Sequence, residues 1–406
     1  MENIVIVDCV RTGLAKAHRG TFNLTRSDDL VAHCINALLE RNPAVDPGAI
    51  EDVILGCGRQ VGEQSANVAR HAVALSKLPI TVPASTISRA CSSGLNSIAF
   101  AATQLASGCS EIMLAGGVES ITGLDRGNPG EHAENPILME QKPDIFMAMG
   151  NTAEVVARRY QVGREAQDLY ALQSQQRYAA AEEKGFIQEE FVPMKVSWSK
   201  IIDKQTQETQ IVKGIVDRDE CNRPGTTLEG LNKLGPAFEE DGSVTAGNAS
   251  QLSDGAALAL LMTEKKAEKL GLDIMGYFRG FTVAGCEPDE MGIGPVFAIP
   301  KLLDYLGLTL NDIDLVELNE AFASQCLYCR DRLGIDNEIY NVNGGSIAIG
   351  HPFGMTGARL TGSVLRELKR RNQRYGIVSM CIGKGTVSYT HLRAHETLRY
   401  LVCRHL

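Results

Sequence analysis

The chain has 406 residues, enough for two or three domains or one large unit, with the 44% hydrophobic and 22% charged residues of an ordinary globular enzyme. Its formal net charge of −9 argues against a general nucleic-acid-binding protein. No apolar run approaches the ~18 residues of a membrane span. The 11 cysteines are scattered, and the N-terminus lacks the basic start of a signal peptide. These features predict a cytoplasmic enzyme that binds neither nucleic acid nor membrane.

The first part of the chain alternates between strand-like and helix-like segments. Apolar runs at residues 3–10, 51–57 and 111–117 predict buried strands. Helical spacing of apolar residues predicts helices at residues 27–41 and 95–106. This alternation is typical of an α/β sheet that is covered by helices on both faces.

The middle of the chain, residues 119–245, has a different texture. A Gly/Pro/Asn-rich stretch at residues 123–143 precedes polar helical segments at 153–159 and 164–184. A polar, strand-like segment follows at residues 206–217. The change in composition predicts a loop domain that is inserted into the α/β sheet structure.

The C-terminal part returns to the pattern of the first part. Residues 245–261 predict a Gly/Ala-rich turn followed by a helix. A Gly-rich turn at residues 344–357 then leads into a helix at 358–371 and a strand at 375–381. The same order of turn, helix and strand starts at Cys91, so the chain is predicted to contain two related halves.

Three side chains beside glycine turns have the chemistry for acyl transfer through a thioester. Cys91 precedes a predicted helix, whose N-terminus favours a thiolate, although a buried structural cysteine is the alternative. His351, between glycine and proline, could polarise a carbonyl or assist thiolate formation, or be a satisfied core histidine. Cys381 ends a predicted strand before Gly383, where sites often lie in α/β folds, or is a core cysteine.

The motifs around these residues together resemble the thiolase family (acetyl-CoA C-acyltransferases and acetyltransferases), from the N-terminus to about Thr386. The motifs are Arg89-Ala-Cys91-Ser-Ser-Gly94, Gly116-Gly-Val-Glu-Ser120, Val244-Thr-Ala-Gly-Asn-Ala-Ser250, Asn319-Glu-Ala-Phe322, Asn343-Gly-Gly-Ser-Ile-Ala-Ile-Gly-His351-Pro-Phe-Gly354 and Cys381-Ile-Gly383. The resemblance implies a duplicated, five-layered αβαβα fold with an inserted loop domain. Its parts would be residues 1–118, completed by about 246–270, as the N-terminal half, 119–245 as the loop and CoA-binding domain, and 271–388 as the C-terminal half.

The resemblance also implies the reaction, which is thiolytic cleavage of 3-ketoacyl-CoA to acetyl-CoA and a shortened acyl-CoA in fatty acid beta-oxidation. Cys91 would be the acylated nucleophile and Cys381 the general acid/base. His351 would activate Cys91 and, with a water held by Asn319, stabilise the enolate oxygen. The N–H groups of Cys91 and Gly383 would bind the oxygen of the tetrahedral intermediate. CoA is a substrate, so the family chemistry needs no cofactor or metal, and the chain would form a homodimer or homotetramer.

Further residues are assigned to CoA binding by the same resemblance. Arg223 would lie against the adenine, and Ser250 would contact the pantetheine arm. The tunnel would be lined by Met149, Phe238, Ala246, Met291, Ala321 and Phe322. A solvated loop charge remains the alternative for Arg223, and core packing remains the alternative for Phe238 and Met291.

Two departures from the family pattern affect these expectations. Ala148 stands where acetoacetyl-CoA-specific members often have histidine, which favours degradative cleavage over biosynthetic acetoacetyl-CoA formation. Residues 389–406 are rich in arginine and histidine without strand alternation, so they predict an atypical, non-native tail such as translated adaptor or vector sequence, or otherwise an amphipathic helix.

Loss of the family's last strand beside Cys381 would leave a sheet edge unpaired and the enzyme unstable or weakly active. Cys326 and Cys329 form a C-x-x-C pair that is predicted to lie on one face of a helix rather than to hold zinc. A non-catalytic acyl-CoA or lipid carrier is the alternative function from another class.

Overall fold

The computed structural model describes residues 2–124 and 135–395. In this part of the chain the strands are β1 (Ile4–Arg11), β2 (Ala15–Lys16), β3 (Asp52–Cys57), β4 (Ala84–Ile87), β5 (Ile112–Glu119), β6 (Met194–Ile201), β7 (Thr209–Val216), β8 (Ser253–Thr263), β9 (Gly276–Gly285), β10 (Leu315–Leu318), β11 (Tyr375–Ile382) and β12 (Thr386–Ala394). The helices are α1 (Ser27–Arg41), α2 (Val68–Leu75), α3 (Ser93–Ala106), α4 (Ile121–Leu124), α5 (Pro136–Gln141), α6 (Met149–Arg159), α7 (Arg164–Glu183), α8 (Leu228–Asn232), α9 (Glu264–Leu270), α10 (Pro295–Leu306), α11 (Ala323–Leu333), α12 (Ser346–Ile349) and α13 (Thr356–Arg371).

The large sheet consists of two halves that meet at β1 and β9. Its strand order is β10-β11-β12-β9-β1-β8-β5-β3-β4, and β2 pairs with β8. The antiparallel pairing of β1 with β9 joins Ile4, Val5 and Ile6 to Phe278, Tyr277 and Gly276 and goes no further along the strands. The two halves are therefore joined by a short junction.

Helices α3 and α13 lie between the two halves of the sheet. They share one apolar core with alternate residues of β1, such as Ile4 and Ile6, while Val5 and Val7 face a second core under α1 and α2. A third core packs α10 and α11 against the outer face of β10 and β11. This arrangement confirms the five-layered αβαβα fold, because every sheet half is covered on both faces.

Most elements were predicted close to their observed positions, but residues 245–261 were not. The predicted helix there is wrong, since residues 253–263 form β8. This strand pairs with both β1 and β5 and is buried along its whole length. A strand that is buried on both faces has a continuous apolar sequence without alternation, so its pattern resembles that of a buried helix.

The inserted segment is tied to β1 by a buried charged cluster. The Arg11 guanidinium makes two hydrogen bonds to the Asp219 carboxylate, of 2.7 and 2.9 Å, and its Nε lies 2.6 Å from Glu190. The Tyr178 hydroxyl donates to Asp219 at 2.7 Å. Removing one partner of a buried ion pair leaves an uncompensated charge, which is strongly destabilising. The cluster therefore holds Asp219 and Glu190 of the inserted segment against β1.

The C-terminal end corrects the expectation of a missing strand. Residues 386–394 form β12, which pairs antiparallel with β11 on one side and β9 on the other. The predicted absence of strand structure from residue 389, and the unpaired edge beside Cys381, are therefore wrong. Two flanking strands offer backbone donors and acceptors on both sides, and backbone pairing does not depend on the side chains. Residues 396–406 of the predicted tail lie outside the described residues.

Two polar side chains of β12 are buried without hydrogen-bond partners among the described residues. Thr390 and His391 are both buried, at 0% and 1% exposure. Within the described chain, the Thr390 hydroxyl and both ring nitrogens of His391 lack a hydrogen-bond partner. A polar group that is buried without a partner is destabilising, so the strand forms at a cost in stability.

Candidate active site

Cys91 lies in a tight turn at the start of α3. Ala90 has a left-handed backbone conformation, with φ of +43°. The Ser93 hydroxyl donates to the Ala90 carbonyl at 2.6 Å and accepts from the Arg89 N–H at 2.9 Å, so it closes the turn. The turn leaves the thiol of Cys91 half-buried at the N-terminus of a helix. This position favours negative charge on the sulfur.

Cys381 is near the end of β11 and faces the Cys91 turn. It is fully buried, and its thiol donates to Gln325 Oε1 at 3.6 Å. Burial raises the pKa of Cys381 well above its ordinary value, and the nearby Cys91 raises it further. Burial raises the pKa of Cys91 to about 11, opposed by hydrogen bonds from the N–H groups of Gly383 and Cys91. Both thiols are therefore protonated at neutral pH.

His351 and Asn319 form the polar side of the same site. His351 Nε2 lies 3.2 Å from Asn319 Nδ2, and its Nδ1 lies 2.7 Å from the Thr356 hydroxyl. Asn319 Oδ1 accepts a hydrogen bond of 2.6 Å from the Ser346 hydroxyl. Burial lowers the pKa of His351 to about 3, and the Arg359 charge acts in the same direction. The imidazole is therefore neutral and held in a fixed orientation.

Glycines at the N-termini of α3 and α13 bring the Cys91 turn and the His351 loop together. A Cβ on Gly94 would lie 2.4 Å from the Gly354 carbonyl oxygen, and one on Gly357 would lie 2.5 Å from the Leu95 nitrogen. No larger residue fits this contact without moving the backbone. The glycine motifs thus permit the two halves to place their reactive groups next to each other.

Apolar side chains pack around Cys381. One cluster contains six of the residues in and around the predicted tunnel, namely Met149, Met291, Ala321, Phe322, Ala249 and Cys381 itself. The ring of Phe238 packs edge-on against that of Phe322, with centroids 6.1 Å apart. The predicted tunnel residues therefore meet in space, apart from Ala246, which lines a neighbouring cleft.

That cleft has a volume of about 230 Å³ and lies between α7, α8 and the segment after the loop domain. It is lined by Arg223 and Ala246, together with Gln175, Cys221, Thr226, Thr227, Gly230, Leu231, Leu234, Gly247, Ala249, Gln251 and Ile347. Gln175 Oε1 accepts the Arg223 N–H at 2.8 Å and so holds its loop in place. The half-buried Ser250 donates its N–H to the Ala321 carbonyl at 2.9 Å, which connects the cleft to the apolar cluster around Cys381.

Four further residues contact the site without having been assigned to it from the sequence. They are Glu119, Gln325, Ser346 and Thr356. Glu119 lies inside the Gly116–Ser120 motif, so its position was marked but its role was not. Ser346 likewise lies inside the Asn343–Gly354 motif. Gln325 and Thr356 lie outside the motifs and are recognisable only by contacts with Cys381 and His351 that the fold creates. Among residues 2–124 and 135–395, no group of three or more His, Cys, Asp or Glu side chains is placed to hold a metal ion. Cys326 and Cys329 are buried on α11, as predicted.

Two family models match the chain along most of its length. The model of the thiolase N-terminal domain matches residues 4–265, and that of the thiolase C-terminal domain matches residues 272–393. The chain belongs to the thiolase family. The second match ends inside β12, beyond residue 388, in agreement with the observed strand.

Curated relatives of this thiolase share nearly half of its sequence. It is 47% identical over 388 residues to a 3-ketoacyl-CoA thiolase of Bacillus subtilis, covering 95% of this chain and 97% of the relative. It is also 47% identical over 384 residues to the human peroxisomal 3-ketoacyl-CoA thiolase, covering 94% and 89% of the two chains.

Solved thiolase structures have the same fold. The dimeric peroxisomal thiolase of Saccharomyces cerevisiae matches with a TM-score of 0.88 and 37% identity, covering 97% of this chain and 98% of that one. The acetyl-CoA acetyltransferase of Bacillus anthracis matches with a TM-score of 0.86 and 38% identity, covering 97% and 99%. None of the helices in the described part of the chain is long and apolar enough to cross a membrane.

Proposed function

We propose that this thiolase cleaves 3-ketoacyl-CoA with CoA, in fatty acid beta-oxidation, to yield acetyl-CoA and a shortened acyl-CoA. The observation that carries the proposal is the pair of thiols, Cys91 and Cys381, on either side of one site beside the Gly383 N–H. One thiol can hold the acyl group while the other moves protons. The 3-ketoacyl-CoA thiolases among its relatives support this reading over the biosynthetic one.

The first half of the reaction breaks the bond between C2 and C3 of the substrate. Cys91 Sγ attacks the C3 carbonyl as its proton passes to His351, and the N–H groups of Cys91 and Gly383 stabilise the oxyanion. The C2–C3 bond electrons then form the enolate of acetyl-CoA, which takes the proton of Cys381 at C2. His351, with a water on Asn319, stabilises the enolate oxygen. The products are acetyl-CoA and an acyl group on Cys91.

The second half transfers this acyl group to CoA. The Cys381 thiolate removes the proton from the CoA thiol, and the CoA sulfur attacks the thioester carbonyl on Cys91. The C–S bond to Cys91 breaks, and His351 returns the proton to the departing sulfur. Each group is thereby restored to its starting protonation state.

The pKa values of the resting site require proton transfer to accompany the attack. The pKa of Cys91 is about 11 and that of His351 about 3, so a thiolate–imidazolium pair is strongly disfavoured before substrate binds. A bound carbonyl changes this balance, because charge that develops on its oxygen is stabilised by preorganised N–H donors.

The proposal is tested by incubating the protein with isotope-labelled acetyl-CoA. We expect one labelled acetyl group on the Cys91 peptide in a mass spectrum, and none in Cys91→Ala, because only this thiol is placed as the nucleophile. Cys109→Ala, which removes an exposed cysteine, serves as the control and should label like the parent. Complete absence of label from the parent would favour a non-catalytic acyl-CoA or lipid carrier.

Arg223 is expected to contribute to CoA binding without taking part in the bond changes. Arg223→Ala should raise KM for CoA about tenfold, equivalent to ~1.4 kcal/mol, with kcat nearly unchanged. Steady-state rates at varied CoA concentration measure both constants. Arg218→Ala is the matched control, since Arg218 is an exposed arginine that pairs with Glu182 at 3.3 Å. A fall in kcat without a rise in KM would contradict the assignment.

Biosynthetic acetoacetyl-CoA formation is the second candidate, supported by the likeness to the Bacillus anthracis acetyltransferase. Relative rates across 3-ketoacyl-CoA chain lengths distinguish acetoacetyl-CoA formation from degradative cleavage. Ala148 favours degradative cleavage, because it lacks the polar contact to pantetheine that a histidine would make. The proposed reaction uses only thiols, an imidazole and backbone N–H groups, so it needs no metal or resident cofactor. We also propose a cytoplasmic location. The Bacillus subtilis relative is consistent with this location, whereas the human relative is peroxisomal.

A homodimer, with a homotetramer as the alternative, is part of the same proposal. Strand β4 is at the end of the sheet, and its residues are half-buried. Ile80, four residues before this strand, is 62% exposed. An edge strand preceded by an exposed apolar side chain favours pairing with a second copy. Sedimentation at micromolar concentration tests the assembly state.

A further inference from the structure

Glu119, at the end of β5, is a buried carboxylate that the proposed reaction does not use. It is 0% exposed. Its Oε2 accepts N–H bonds of 2.8 Å from both Gly58 and Gly354. Its Oε1 accepts bonds of 3.1 Å from the Arg59 N–H and 3.0 Å from the Gln64 side-chain amide. All four donors are N–H groups, so both oxygens are fully used as acceptors.

These donors come from both halves of the molecule. Gly58, Arg59 and Gln64 follow β3 in the N-terminal half, whereas Gly354 lies in the C-terminal half, three residues after His351. An N–H group cannot accept a hydrogen bond, so neither oxygen can be replaced by an amide nitrogen without opposing a donor. The bonding therefore requires a carboxylate of this length at this place.

The segments that Glu119 joins contact the reactive turn directly. A Cβ on Gly58 would lie 3.2 Å from the Ala90 carbonyl oxygen and 2.9 Å from Cβ of Phe353. Ala90 precedes Cys91, and Phe353 packs its ring against His351 with centroids 5.2 Å apart. Gly58 thus lies between the Cys91 turn and the His351 loop.

We propose that Glu119 is a positioning residue that fixes the His351 loop relative to the Cys91 turn and thereby sets the geometry for nucleophilic attack. This inference rests on the proposed function, because it assigns Cys91 as the nucleophile and His351 as its proton acceptor. Glu119 itself does not touch the reacting atoms. Its effect is on distance and orientation, on which bond formation depends steeply.

The charge of Glu119 provides an independent observable, because it acts electrostatically on Cys91. Burial raises the pKa of Glu119 to about 7, opposed by its hydrogen bonds from Gln64 and from backbone N–H groups. The carboxylate in turn raises the pKa of Cys91 and that of the buried Cys57. Cys381 also interacts with Cys91, and its thiol is neutral at rest because its pKa is raised well above the ordinary value.

The test compares Glu119→Gln with Glu119→Asp. Both variants should lower kcat by about 10²-fold with little change in KM for CoA, since either the hydrogen bonds or the reach of the side chain are lost. Only Glu119→Gln removes the charge, so it alone should lower the pKa of Cys91 and speed its alkylation by iodoacetamide at pH 8. Peptide mass spectrometry identifies the modified cysteine.

Asp314→Asn provides the matched control. Asp314 Oδ2 accepts the N–H groups of Arg374 and Tyr375 at 2.9 and 2.8 Å, at the end of β11 that is remote from Cys381. This variant should change thermal stability without changing kcat or the alkylation rate.

The outcomes separate this proposal from the one on which it rests. If both Glu119 variants have the kcat of the parent per folded molecule, the positioning role is wrong, even where acyl transfer by Cys91 is intact. If the parent itself has no thiolase activity, the proposed function fails. An unchanged alkylation rate in Glu119→Gln would show that the charge of Glu119 does not act on Cys91.

Discussion

Cys381→Ala is expected to lower kcat for thiolysis on the order of 10³-fold while still permitting acylation of Cys91 by acetyl-CoA. In the proposed reaction, the buried Cys381 thiol is the acid that protonates the leaving enolate and the base that deprotonates CoA. Its raised pKa keeps it protonated at rest, which is the state that the first step needs. Acylation of Cys91 from a thioester breaks no carbon–carbon bond, so it depends less on this group.

Hydrogen exchange provides the most direct measurement of this role. The parent should exchange the methyl protons of acetyl-CoA with deuterated water. When acetyl-CoA acylates Cys91, Cys381 gives its proton to the departing CoA, and the resulting thiolate can remove and return a proton at C2 of a second acetyl-CoA. Cys381→Ala should not. Cys329→Ala is the control, since it removes a neighbouring buried thiol that donates to the Gly292 carbonyl at 3.4 Å and has no part in the proposed reaction. Exchange at the parent rate in Cys381→Ala would show that another group is the base.

Thr390→Val combined with His391→Leu should raise the free energy of unfolding by about 2–6 kcal/mol at pH 7, since each of these two side chains, buried without a hydrogen-bond partner, costs about 1–3 kcal/mol. The Thr390 hydroxyl and both His391 ring nitrogens lack hydrogen-bond partners in the described structure. Apolar side chains of similar size remove that cost and leave the backbone pairing of β12 unchanged. Chemical denaturation measures the difference.

The increase in the free energy of unfolding of the double variant over the parent should become larger as the pH falls, and the direction follows from the pKa of His391. Burial lowers this pKa to about 4, from about 6.5 for an unfolded histidine. Between these values the unfolded chain binds more protons than the folded chain, so the stability of the parent falls as the pH falls through this window. The double variant lacks this contribution, whereas the lowered pKa of His351 affects both proteins equally.

A matched substitution distinguishes this effect from a general gain in hydrophobicity. His33 is half-buried, and its Nε2 lies 3.2 Å from the Val192 carbonyl oxygen, so His33→Leu removes a satisfied histidine and should not stabilise the chain. If the double variant at 390 and 391 is no more stable than the parent at pH 7 and at pH 5, the buried groups of β12 have partners after all.

The agreement between sequence and structure differs from element to element for physical reasons. The turn at Cys91 and its helix were predicted because the small residues and glycine that permit such a turn act within a few positions. Strand β8 was predicted as a helix because its continuous apolar sequence reflects burial on both faces of the sheet. That burial cannot be recognised from a short stretch of sequence. Strand β12 was rejected because its side chains do not alternate, although strand pairing depends on the backbone and on the neighbours β9 and β11.

The amino-acid sequence by itself determined the reactive groups of this protein, their glycine turns and the family whose motifs they match. Those features are local, since a turn or a helix start is encoded by adjacent residues. Only the tertiary structure decided which distant groups meet, such as Glu119 with Gly354, Asn319 with His351, and Cys381 with Gln325. These contacts depend on how the two halves pack, and packing is a property of the whole chain rather than of any segment.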